Sequence, residues 1–102
     1  MSDGKRYRLR LRDIFYFEIV EGRSFLYCED RVFECRQKLY EFETLCRGSM
    51  LFRCSKSMIL NTDKIACVRP SVSGRFEATL VNQEKVIISH QYVGELKRML
   101  GI

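Results

Sequence analysis

Residues Ile14–Val20 read IFYFEIV, and six of the seven are aromatic or β-branched. Such a run, closed by Glu21-Gly22-Arg23, predicts a strand ending in a turn where Gly22 takes a positive φ. Phe15, Phe17 and Ile19 are expected on one face, with Tyr16 and Glu18 on the other. Downstream, Ser24–Cys28 and Arg31–Cys35 read as a hairpin around Glu29-Asp30. Upstream, Tyr7–Arg12 (YRLRLR) alternates strictly. That period predicts a half-buried strand, with Leu9 and Leu11 inward and Arg8, Arg10 and Arg12 outward.

The period changes at Gln37. In QKLYEFETLC, Leu39, Phe42, Leu45 and Cys46 recur at spacings of three and four, and Gly48 follows. An amphipathic helix with a core-facing stripe is predicted there. Met50–Arg53 is short and extended, and Ser55–Asn61 (SKSMILN) is expected to form a helical turn capped by Ser55 or Ser57. Lys64–Pro70, Arg75–Val81 and Lys85–Ser89 are the next strands. They are joined by Ser71–Gly74 and by Asn82-Gln83-Glu84. From His90 the pattern is helical again, with Tyr92, Val93, Leu96 and Leu100 on one face, Ser89 as N-cap and Gly101 as the stop. The expected fold is therefore mainly β, with seven or eight short antiparallel strands, a middle helix and a C-terminal helix. Strands that follow one another as hairpins lack the βαβ rhythm of a parallel sheet.

A chain of 102 residues matches one domain with one modest core. Residues 1–6 are expected to be disordered or to derive from cloning. Hydrophobic residues make up 46% and charged residues 30%, which excludes collagen-like and disordered classes. No apolar run is long enough for a membrane-spanning helix, and the opening MSDGKRYRLRLR has no apolar signal core. The net charge of +5 favours a polyanionic partner, nucleic acid first and an acidic membrane surface second.

The five cysteines, Cys28, Cys35, Cys46, Cys54 and Cys67, form no C-x-x-C pair, and the single histidine is His90. That spacing argues against a zinc site. Small buried thiols in a reducing cytoplasm fit better, and Cys28, Cys35 and Cys67 are expected to pack in strands. Phosphate-binding loops, dinucleotide fingerprints and hydrolase or metalloprotease motifs are all missing, so no enzyme, cofactor or metal is expected. The basic residues are better organised. Arg8, Arg10 and Arg12 share a face, Arg23 sits in a turn, and Arg53 and Lys56 lie beside Ser55 at the SKS segment. Serine, asparagine, histidine and glutamine near element starts can reach phosphates and base edges when loops enter a groove.

The run from Phe52, FRCSKSMILNTDKIACVRPSVSGRFEATLVNQEKVIISHQYVGELKRMLG, resembles the LytTR family of bacterial DNA-binding domains. The family pattern has a phenylalanine-arginine pair, a polar dipeptide, a serine, an apolar run, an asparagine and a basic-isoleucine strand. Here these are Phe52, Arg53, Ser55-Lys56, Ser57, Met58–Leu60, Asn61 and Lys64-Ile65. Asp13–Glu18 (DIFYFE) is similar to the family's opening signature, and Leu39–Leu45 to its helix. The likeness is nearest to stand-alone regulators without a receiver domain, at Cys54–Ser57, Gly74–Leu80 and Ile88–Val93. Such regulators carry a further segment upstream, so this chain is expected to be a truncated piece or a short member.

The resemblance implies short strands in about three small sheets, in an elongated arrangement. It implies loops, rather than a helix, inserted into the major groove of double-stranded DNA by a cytoplasmic transcriptional regulator. The DNA-binding residues it implies are Arg23 and Ser24, then Arg53, Ser55 and Lys56, then His90 and Gln91. The family usually has arginine where this chain has His90. Arg8, Arg10 and Arg12 lie on a face the family does not use for base reading. Beyond DNA, the expected partner is a second copy, in a homodimer or in tandem on repeated DNA sites, with no membrane insertion. The competing readings are a non-enzymatic protein-interaction module with an incidental basic surface and, third, an RNA-binding β-domain.

Overall fold

Strand β1 (Tyr16–Val20) lies at the centre of a five-stranded antiparallel sheet in the computed structural model, which describes residues 4–102. Its neighbours follow from short connections. Glu21 and Gly22, with φ of 51° and 77°, make the two-residue turn into β2 (Arg23–Tyr27). Two successive left-handed residues suit the right-handed twist of a tight hairpin. β3 (Val32–Cys35) pairs with β2 through the predicted Glu29-Asp30 turn. On the other side of β1 stands β5 (Met58–Asn61), and β4 (Leu51–Arg53) completes the order β3-β2-β1-β5-β4. A second antiparallel sheet contains β6 (Ile65–Pro70), β7 (Phe76–Leu80) and β8 (Lys85–Ile88) in sequence order. The helices are α1 (Leu39–Leu45) and α2 (Val93–Leu100). The strands thus form two sheets where three were expected. β5 bonds to β1 and carries β4 with it instead of the two standing apart, because Ser57 and Met58 reach β1 in register. The principal extents of 43 × 25 × 24 Å give an elongated shape.

The five-stranded sheet has a core on each face. Tyr16, Phe52 and Leu60 point to one side, where Ala78, Leu80, Val86 and Ile88 of the second sheet and Leu96 of α2 close over them. Phe17, Leu26, Leu51 and Ile59 point to the other side, under Phe42 and Cys46. Neighbouring residues of one strand therefore belong to different cores, as the pleat requires. Phe17 stacks on Phe42 with ring centroids 4.7 Å apart. Leu9 and Leu11 cover the same core, with Arg8, Arg10 and Arg12 exposed, so the predicted alternation of burial holds. Their segment is not a strand, however: no neighbouring strand takes its hydrogen bonds, and Leu11–Asp13 forms a 3-10 turn.

Other expectations are corrected. Phe15 shares a core with Tyr16, not with Phe17, because the chain bends at Phe15 before β1 begins. Asn61 holds that bend: its backbone N–H donates to the Phe15 carbonyl at 2.9 Å and its Nδ2 to the Ile14 carbonyl at 2.8 Å. Met58–Asn61 is strand rather than helical turn, since pairing with both β1 and β4 satisfies its backbone. Leu45 is 61% exposed, because it lies to one side of the Leu39, Phe42 and Cys46 stripe that faces the core. Cys67 is exposed on β6, and Cys28 lies just past the end of β2. Ser89 makes no side-chain cap; its carbonyl accepts from the Tyr92 N–H instead. Of the six opening residues, the first three lie outside the described residues, and Gly4–Arg6 are exposed and outside any helix or strand.

A polar inset lies where the two sheets meet. Tyr16 stacks on Tyr27 at 4.3 Å, and its hydroxyl donates to Glu84 Oε2 at 3.3 Å. Burial raises the Glu18 carboxyl above its ordinary value; a hydrogen bond from Tyr27 opposes this and the Glu84 charge adds to it. A raised folded-state value means the native chain holds this proton more tightly than the unfolded chain does. The stability it contributes is therefore present below the ordinary glutamate range and lost as pH rises through the folded value. Glu18→Gln is expected to shrink the fall in melting temperature between mildly acidic and neutral pH. Parallel thermal melts would check this, and an unchanged slope would sink it.

Candidate nucleic-acid interface

The β1–β2 turn and the β4–β5 loop lie at the same end of the five-stranded sheet. Ile19 pairs with Ser24 on one side and accepts the other loop on the opposite side, its N–H donating to the Ser57 carbonyl at 2.9 Å. The β8–α2 junction is tied to the same end, since the Ser89 N–H donates to the Cys54 carbonyl at 2.9 Å. Cys54 is fully buried between them, and burial pushes its thiol up to about 12, so it packs as a neutral group.

Ser55, Lys56, His90 and Gln91 line one recess of about 500 Å³. Two of the three sequence-predicted segments therefore meet. Lys56, His90 and Gln91 are exposed. Among the described residues, Lys56 has no carboxylate partner. The loop that carries it is set locally: Ser55 Oγ accepts from the Ser57 N–H at 3.2 Å, and the Cys54 N–H donates to the Met58 carbonyl at 3.0 Å.

Arg53 stands behind this loop rather than in the recess. Its Nε donates to the Ser55 carbonyl at 2.6 Å and its Nη2 to the Lys56 carbonyl at 2.8 Å. Nη1 pairs with Glu43 of α1 at 3.2 Å, and the guanidinium lies 5.8 Å from the Tyr92 ring. The planar fork of arginine suits this role, because it fixes two carbonyls in one plane. Arg53 thus shapes the backbone that presents Ser55 and Lys56.

Arg23 and Ser24 are near the recess along the sheet but do not line it. Arg23 makes a two-pronged pair with Glu34 of β3, at 2.9 and 2.6 Å, and the bond from Arg23 holds the Glu34 carboxyl below its ordinary range. Both side chains are exposed, so the pair contributes little to stability. Ser24 is buried, and its hydroxyl donates to the Gln37 carbonyl at 2.7 Å, anchoring the approach to α1. Arg10 and Arg12 flank the entry to β1, at the opposite end of the strand from the turn that carries Arg23.

Sequence reasoning missed the Ser71–Gly74 connection as part of the site. Ser73 and Arg75 line the same recess as Lys56 and His90. The available signal was a glycine followed at once by an arginine in a hairpin turn. A second groove of about 830 Å³ runs between α1, α2 and the open edge of β4, but Glu43 and Glu95 line it beside Arg47, Arg53 and Arg98. Its mixed charge sets it apart from the recess at the loop end, which no carboxylate lines. Among the described residues, no helix is long and apolar enough to cross a membrane.

The family model described as the LytTr DNA-binding domain matches residues 4–101. The sensory transduction protein LytT of Enterococcus faecalis (strain ATCC 700802 / V583) is 26% identical over 101 residues. That match takes in 99% of this chain and 42% of the relative, so the chain spans less than half of that protein's length. The solved LytTr DNA-binding domain of a Bacillus cereus protein shares 22% identity. It superposes with a TM-score of 0.89, covering 100% of this chain and 94% of that one, and this likeness carries the fold.

Proposed function

This chain belongs to the LytTR family of DNA-binding domains, and from that membership we propose that it binds duplex DNA sequence-specifically through its loop end, in the service of bacterial transcription. The carrying observation is the recess where Ser55-Lys56 meets His90-Gln91, cationic and free of lining carboxylates. Loops at one end of a 43 Å molecule can enter a major groove about 12 Å wide, and their polar side chains match its donor and acceptor code. Lys56, His90 and Gln91 reach the bases or phosphates. Arg53 acts through the loop it holds, and the Arg23-Ser24 turn borders the duplex with Arg23 as its contacting group.

The direct test is selection of bound sites from a random duplex library, followed by a salt titration on the selected duplex. A recovered consensus and a steep log-log salt slope are the expected results. A protein-interaction module would return no consensus and a shallow slope, and preference for single strands would point to RNA-type binding.

His90 supplies a sharper test, since the family usually has arginine there. His90→Arg is expected to tighten binding to the selected duplex and to steepen the salt slope by about 0.9, the value for one added phosphate contact. Fluorescence anisotropy of both proteins across a salt series reads it. Identical affinity and slope would remove His90 from the interface.

A further inference from the structure

We infer that the turn Ser73-Gly74-Arg75 is a fourth DNA-contact segment, in which Arg75 takes a backbone phosphate and Gly74 seats the His90 ring; the inference rests on the DNA-binding reading above. Three observations carry it. The first is contact. A Cβ built on Gly74 would lie 2.5 Å from His90 Cδ2 and 3.2 Å from Nε2, so the imidazole lies directly on the glycine backbone. No side chain fits between them. The position also needs a φ of 73°, which glycine adopts without cost.

The second observation is rigidity. The Ser71 N–H donates to the Arg75 carbonyl at 2.8 Å, and the Arg75 N–H donates to the Val72 carbonyl at 3.2 Å. Ser73 is held at φ 59° and ψ 34°, a left-handed conformation that a non-glycine residue keeps only when its surroundings enforce it. The turn is thus a fixed platform beneath His90.

The third observation is charge. Arg69, across the same hairpin, is neutralised by Glu77 at 2.8 Å. Arg75 is exposed and, among the described residues, has no carboxylate partner. It faces the same recess as Lys56, beside the hydroxyl-bearing Ser55, Ser57, Ser73 and Ser89. Two cations and four serine hydroxyls around an open recess without a carboxylate form a receptor for an anionic oxygen. A phosphodiester of a duplex lying across the loop end meets that chemistry.

The test compares wild type, Arg75→Gln, Arg69→Gln and Gly74→Ala by fluorescence anisotropy. The probes are a duplex selected by wild type and an unrelated duplex, each across a salt series. Arg75→Gln is expected to weaken binding to both duplexes by the same factor and to lower the salt slope by about 0.9. Arg69→Gln removes the same formal charge from the same hairpin and is expected to leave the slope unchanged. Gly74→Ala is expected to weaken the selected duplex more than the unrelated one, and to add no further loss in a His90→Ala background. Circular dichroism melts identify any variant that fails to fold. If Gly74→Ala unfolds, the exposed Arg75→Gln change still decides. An Arg75→Gln slope equal to wild type, or equal to that of Arg69→Gln, overturns the inference while leaving DNA binding intact. A wild-type protein that binds neither duplex overturns both.

Discussion

Replacing Asn61 with leucine is expected to cost about 2–4 kcal/mol of folding stability, the sum of one buried carbonyl left without a partner and one part-buried hydrogen bond lost. Asn61 is fully buried where β5 meets the bend before β1. Its Nδ2 donates to the Ile14 carbonyl at 2.8 Å, and its Oδ1 accepts from the Asp63 N–H at 2.8 Å. Leucine has similar volume but neither donor nor acceptor, so the Ile14 carbonyl would remain unpaired in the interior, while the N–H of the exposed Asp63 would turn to water. The bond to Ile14 also helps to set where Phe15 and Tyr16 point, and both rings belong to the core between the sheets. For a domain of this size the melting temperature is expected to fall by about 10–25 °C. Thermal melts of wild type and Asn61→Leu would measure it. A drop of under about 3 °C would mean that water or a local shift replaces both bonds, and that Asn61 does not hold the bend.

Lys56→Ala is expected to weaken binding to the selected duplex by about 1–3 kcal/mol, or about 5- to 150-fold, if the ammonium reads a base edge. The side chain is exposed at the tip of a loop whose backbone Arg53 grips at the Ser55 and Lys56 carbonyls. The truncation therefore removes a projecting group and leaves its platform in place. Stability should change little, because an exposed lysine without an ion pair contributes little to folding. The pattern of the loss identifies the contact. A base contact weakens the selected duplex selectively and relaxes preference at one base pair. A phosphate contact weakens selected and unrelated duplexes alike and lowers the salt slope by about one. Unchanged affinity on both duplexes would exclude Lys56 from the interface.

Much of the fold could be read from local pattern. The hairpins at Glu21-Gly22 and Glu29-Asp30, the strands Ile65–Pro70, Phe76–Leu80 and Lys85–Ile88, and both helices follow from period, turn residues and a glycine stop. Turn chemistry and hydrophobic period act over a few residues, so a single strand of sequence contains them. The net charge and the polar loop residues likewise pointed to a polyanion before any coordinates. Lys56, His90 and Gln91 could be chosen from the sequence because the family resemblance named their segments.

Other features depended on distant parts of the chain. YRLRLR has the alternation of a strand and the matching burial, but a strand also needs a neighbour with open hydrogen bonds, and β1 already has β2 and β5 on its two sides. SKSMILN carries a helix-like start, yet two flanking strands take its backbone and override that propensity. The double-sided core was hidden because Ile14–Phe17 are all apolar, and an apolar run does not say which core each residue enters. The site divided in the same way. Exposure and charge of Lys56 are properties of one residue, whereas the anchoring of Ser24 depends on Gln37 and the ion pair of Arg53 on Glu43. The meeting of Gly74 with His90, sixteen residues apart, exists only because β7 and β8 fold back in register, with Phe76 opposite Ile88, and bring the two turns to one end. Local order is encoded by neighbours in sequence, while the assembly of this surface is decided by pairing between strands, which no local pattern contains.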